Sequence, residues 1–250
     1  MRLPDNYTHR LIDCLTRSRL SFALYRLPWT DECYFIVQAS EEVNTLDDIT
    51  ELNGKQGFVI APFQQTKEHP IVLIHPDVTA YDWPEISQAV ASLKYADAIL
   101  SCKPLATVPV TTMNEEERYS RYFAAFNRFM EPLKNKSIKK LVLSRPAFCS
   151  IDENFSPLET FVKACNAYPR MMIYLCHTSV SGTWLGSTPE ILLSGQAMNW
   201  STVALAGTMP IENGVEPTEW SDKNKEEQAI VAEYVRKIAK KHGRKTIEKG

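Results

Sequence analysis

The chain has 250 residues, 44% of them apolar and 23% charged, with a formal net charge of −2. That length supports a sizeable core in one large domain or two small ones, and the composition is that of a globular chain rather than a disordered one. Near-neutral charge, without a Lys/Arg stripe interleaved with aromatics, argues against nucleic acid as a partner.

In chain order, residues 7–17 read as a short helix with Leu11, Ile12 and Leu15 on one face. Strand-like runs follow at 21–27, 33–38, 57–63 and 71–75. They are aromatic and β-branched, and Pro, Gly, Asn or Asp stands between them. Strands joined without intervening helices predict antiparallel meander pairing rather than βαβ units. Residues 77–110 read as loops with a short helix at 85–91. Asn114 then opens a helix with Glu117 at the reciprocal capping position. Along it Tyr119, Tyr122, Phe123, Phe126, Met130 and Leu133 recur at helical spacing, the stripe of a core-facing helix.

Residues 139–145 read as a buried strand ended by Pro146, with Lys140, Val142 and Ser144 on one face. A helix is predicted at 154–167, with Leu158, Phe161, Val162 and Cys165 inward. A strand at 171–176 pairs with 182–185 through the turn at 179–182. Ser194-Gly195 separates the aliphatic run 191–193 from a strand at 198–205. The last helix is capped by Ser221, runs to about Lys241 and ends at Gly243. The fold class expected is α+β, antiparallel sheets with helices on the outside. The whole chain, 1–250, is read as a single domain, in which 1–113 form a sheet region without a recognisable motif and 114–250 carry the motifs.

The six cysteines, Cys14, Cys33, Cys102, Cys149, Cys165 and Cys176, are scattered without a C-x-x-C pair. Neither a zinc site nor a disulfide framework is indicated, and free buried thiols in a reducing compartment are expected. No apolar run approaches membrane-spanning length, and residues 1–6 lack the apolar core of a signal peptide. A cytoplasmic protein without a membrane partner is the expectation.

Charge set against apolar surface is costly unless it is paired, bound to metal or used. Four places meet that description, and each has two readings. Glu190 follows Gly186-Ser187-Thr188-Pro189 and precedes Ile191-Leu192-Leu193. It is a general acid favoured in its neutral form, or an edge glutamate facing water. Lys140 is a desolvated base, or a strand-start lysine snorkelling to solvent. Gly207-Thr208 offer open N–H groups and a hydroxyl to a carboxylate, or form a simple turn. Glu227 lies in line with Ile230, Val231, Tyr234 and Ile238, or is a first-turn acid serving the helix dipole.

Four motifs occur in a fixed order: Lys140-Leu141-Val142-Leu143-Ser144-Arg145, Gly186-Ser187-Thr188-Pro189-Glu190, Ala204-Leu205-Ala206-Gly207-Thr208 and Ser221-x-Lys223-x-x-x-Glu227. Together they resemble the chorismate-utilising enzyme family, which includes isochorismate, salicylate, anthranilate and aminodeoxychorismate synthases. The resemblance covers about residues 115–241 and implies a chorismate-utilising-enzyme-like α/β sandwich. It implies that Lys140 activates water for attack at C2 of chorismate and that Glu190 protonates the departing C4 hydroxyl. It further implies that Gly207 and Thr208 line the substrate site, and that Glu227 binds the Mg²⁺ that holds the ring carboxylate.

Amine-adding members of the family have glutamine where this chain has Lys140, and the aminodeoxychorismate type has a lysine where it has Ala206. Both positions therefore point to water addition, hence isochorismate synthase, with salicylate synthase as the alternative. The pathways such a product serves are those to menaquinone, siderophores and salicylate, and the motifs do not choose among them. The family's usual Glu-His pair is Glu227-Gln228 here; that histidine is not a ligand. Family members continue with further strands, a second set of metal glutamates and more carboxylate contacts. The resemblance therefore implies that the C-terminal part of the fold is missing from these 250 residues. A complete enzyme is expected to be a monomer, whereas the shorter chain is expected to associate. An inactive binding or assembly module is the remaining alternative.

Overall fold

A computed structural model describes residues 1–93, 96–100, 114–152, 154–196, 199–211, 213–215 and 217–241. Cys102, the start of the predicted strand at Met198 and the helix end at Gly243 lie outside the described residues. The chain forms two compact units, Met1–Val110 with Cys149–Pro189, and Thr111–Phe148 with Glu190–Gly250.

The first unit is built on a five-stranded antiparallel sheet. Its strands are β1 (Phe22–Arg26), β2 (Tyr34–Val37), β6 (Val78–Tyr81), β7 (Met172–Thr178) and β8 (Gly182–Thr188), in the order β6-β2-β1-β7-β8. A second sheet has the order β3-β5-β4, from β3 (Thr45–Leu46), β5 (Ile71–Ile74) and β4 (Phe58–Ile60). Period-2 alternation decides what each face of β1 meets. Phe22 and Leu24 join a cluster with Leu11, Ile12 and Leu15 of α1 (Asn6–Leu15), Ile86 and Val90 of α2 (Asp82–Ala91), and Leu158 and Phe161 of α5 (Pro157–Ala167). Ala23 and Tyr25 join Phe58, Ile60 and Ile74 of the second sheet. The first unit is thus helices on one face of a sheet and a smaller sheet on the other.

The helix stripes at Leu11–Leu15 and at Leu158, Phe161, Val162 and Cys165 are buried as their spacing predicts. The 171–176 strand pairs with β8 across the expected turn, where Ser181 N–H donates to Thr178 Oγ1 at 2.8 Å. The described residues 77–93 and 96–100 are more regular than their sequence predicts, because β6 runs into α2 without a loop and α3 (Ala96–Leu100) follows. Asp82, at φ 60°, turns the chain there, and Glu85 Oε2 accepts from Tyr81 N–H at 2.9 Å. Arg26, 2% exposed, donates to the carbonyls of Thr30, Tyr168, Pro169 and Met171 at 2.7–3.1 Å, and so ties the end of α5 to β1. Cys14, Cys33, Cys165 and Cys176 are buried thiols outside any disulfide, whereas Cys149 is exposed, and burial pushes Cys176 up to about 12.

The second unit departs further from expectation. Its helices, α4 (Glu115–Lys134) and α6 (Asp222–Lys241), form as predicted. Asn114 Oδ1 caps α4 by accepting from Glu117 N–H at 2.8 Å. Neither helix has a buried residue, so the aromatic stripe of α4 does not face a core. Tyr119, Phe123 and Phe126 instead stack on one another at 6.2 and 6.4 Å. Residues 139–145 form no strand; Val142 is 76% exposed. A strand needs a neighbour to take its N–H and C=O groups, and no ladder reaches this segment among the described residues. Ser194-Gly195, expected as a break, belongs to β9 (Ser194–Gln196), which pairs with β10 (Asn199–Ser201).

Candidate active site on the 140, 204–208 and 227 segments

Three segments of the second unit meet here. The first leaves α4 through a bond from Ile138 N–H to Pro132 O and runs back along the helix. Arg145 then lies over the Tyr122 ring at 5.9 Å, and Arg118 of α4 lies over Phe148 at 5.5 Å. Cation–π contacts of this kind hold an extended segment without a ladder, and they set Lys140 in place. The second segment is the extended run 202–208. It is anchored where Ile191 O accepts from Val203 N–H and Thr202 Oγ1 at 3.3 and 3.1 Å. The third is the first two turns of α6, capped by Ser221 Oγ at 3.3 Å from Asn224 N–H.

Lys140 Nζ donates to Glu227 Oε1 at 2.7 Å, with the two side chains 25% and 32% exposed. The Lys140 hydrogen bond, with the ammonium charge and the Gly207 amide behind it, outweighs desolvation and holds the carboxyl below the usual glutamate range. Asn224 Nδ2 donates to Thr208 O at 3.3 Å, and Gly207 takes a φ of 78° with the Asn224 side chain against it. A residue with a Cβ would be strained at that φ and crowded by Asn224. Gln228 bonds to Ala204 and Ala206. It was not singled out for chemistry from the sequence, since side-chain amide contacts to backbone leave no periodic signal.

Lys140, Gly207, Thr208 and Glu227 are thus brought together, and none of the bonds just described involves Glu190. That residue is exposed, and so are its neighbours Leu192 (92%) and Leu193 (64%). The apolar surround expected for it is not formed by the run that follows.

The donor set limits what cation fits. Among the described residues no group of three His, Cys, Asp or Glu gathers to hold a metal. Mg²⁺ keeps several waters and uses one or two carboxylates. Glu227 therefore fits it as a single ligand, in competition with Lys140 for Oε1.

A comparison with family descriptions matches residues 33–248 to the chorismate binding enzymes. The chain belongs to the chorismate-binding enzyme family. The match starts at Cys33, so it takes in most of the first unit, where β8 carries the start of the Gly186–Glu190 motif, as well as the other three motifs in the second. No curated protein matches the chain. As a member of this family the protein has chorismate as its substrate, and its mixed architecture of antiparallel sheets and helices is the α+β fold expected of it. No described helix is long and apolar enough to cross a membrane.

Proposed function

We propose that the chain is an isochorismate synthase-type isomerase. The observation that carries this reading is the meeting of Lys140, Glu227 and the Gly207-Thr208 turn, from three separate segments, in a chorismate-binding family member. Water adds at C2 as its proton passes to Lys140 Nζ. The ring double bonds shift, and the C4 hydroxyl takes a proton from Glu190 and departs as water. One water enters and one leaves, so the product is an isomer of the substrate. Base and acid held on opposite sides of the ring lower the barrier by positioning and by proton transfer. Gly207 N–H and the Thr208 hydroxyl grip a substrate carboxylate. Glu227 would hold Mg²⁺, which supplies charge neutralisation at the ring carboxylate.

In the structure the Lys140 ammonium donates to Glu227, so Lys140 must leave that bond and give up a proton, with the Glu227 carboxylate as the acceptor at hand, before it can take one from water. Chromatography of chorismate incubated with the chain and Mg²⁺ is expected to reveal isochorismate. Lys140→Ala and Glu190→Gln are each expected to lower the rate by a factor of about 10² or more, the usual worth of a proton-transfer group. Unchanged chorismate with folded protein would refute the assignment, and release of pyruvate would move it to salicylate synthase. The exposed apolar side chains of the second unit favour one other reading, a binding or assembly module without turnover. Chorismate binding without product would select it.

A further inference from the structure

Asn224, Glu227 and Gln228 stand at the i, i+3, i+4 spacing that sets helical side chains side by side. Asn224 and Gln228 both reach the main chain of 204–208, and the two contacts differ in kind. Gln228 Oε1 accepts from Ala206 N–H at 2.8 Å, and its Nε2 donates to Ala204 O at 2.5 Å. Those two groups flank Leu205, and they are the pair that a parallel strand would bond through the N–H and C=O of a single residue of its own. Residues 202–208 belong to no strand, so this carboxamide takes the place of a ladder.

We propose that Gln228 is a positioning residue of this site: its carboxamide acts as a one-residue strand neighbour that fixes 204–206 and so aims Gly207 and Thr208. A carboxamide carries, on two neighbouring atoms, both the donor and the acceptor this contact uses. A glutamate would set an oxygen against Ala204 O, a methionine offers neither group, and asparagine is one methylene shorter. Both bonded atoms on the segment lie just before Gly207, so a shift here displaces Gly207 and Thr208. The consequence for chorismate rests on the function proposed above; the clamp itself does not.

Hydrogen exchange followed by NMR on the full chain tests it. The Ala206 amide is expected to exchange well below the open-chain rate. In Gln228→Met it is expected to speed up roughly tenfold, as a local opening would, with the amide of Leu24 in the core strand β1 unchanged. Gln228→Met is also expected to raise KM for chorismate with little change in kcat, the mark of lost ground-state grip. Asparagine should restore neither. Open-chain exchange at Ala206 in the unsubstituted protein would overturn the proposal without any variant. So would an Ala206 rate that ignores the substitution, or equal acceleration at Leu24. Protected Ala206 with no chorismate binding would instead remove the proposed function and leave the clamp standing.

Discussion

The hydrogen bond from the Lys140 ammonium is the chief influence favouring the charged form of Glu227, and the ammonium's charge adds to it. The folded pKa of this glutamate is depressed, so the stability it contributes is present above the unfolded value and is lost as pH falls through the folded one. A carbon-detected NMR titration is expected to place its midpoint below that of an ordinary glutamate and to move it upward in Lys140→Met. An unmoved midpoint would mean that the two side chains do not pair in solution. Both residues were legible in the sequence as charges placed where the pattern is apolar. Their partnership was not, because local periodicity says nothing about which distant segments meet. Glu190 was legible in the same way, as a charge before an aliphatic run and within a motif, but the structure leaves that residue exposed.

At the scale of elements, α5 and α4 carry similar apolar stripes and meet different fates. Phe161 in α5 is fully buried, while Phe123 in α4 is 50% exposed. Phe161→Ala is expected to cost about 3–5 kcal/mol in denaturant unfolding, the range for a large core truncation. Phe123→Ala is expected to cost under about 1 kcal/mol, since half its surface stays in water. Equal costs would mean that the α4 stripe packs against something in solution. Spacing shows that a helix has an apolar face; it does not show what covers that face. Most strands of the first unit were legible because Gly, Pro, Asn and Asp punctuate them. The two-residue β3 was too short to leave a pattern, and β6 was missed because it passes directly into α2 at Asp82. The strand expected at 139–145 failed for a third reason. Its alternation is real, but alternation cannot supply the neighbour that a ladder requires.

For the molecule as a whole, the stacked rings of α4 and the exposed Leu192, Leu193, Trp200 and Leu205 leave apolar surface that soluble monomers seldom present. Light scattering is expected to give a mass that rises with protein concentration. A constant monomer mass would contradict that expectation. The topology of the first unit carries another consequence, one of time rather than contact. In β1, Phe22 pairs on one side with Val37, which is made soon after it, and on the other with His177. Synthesis proceeds at roughly 5–20 residues per second, so the central strand waits several seconds with one edge unpaired. Closing that gap carries the loop entropy of every residue between, which slows folding. During that wait the nascent chain exposes the edge of its own central sheet, and there a chaperone has the most to protect.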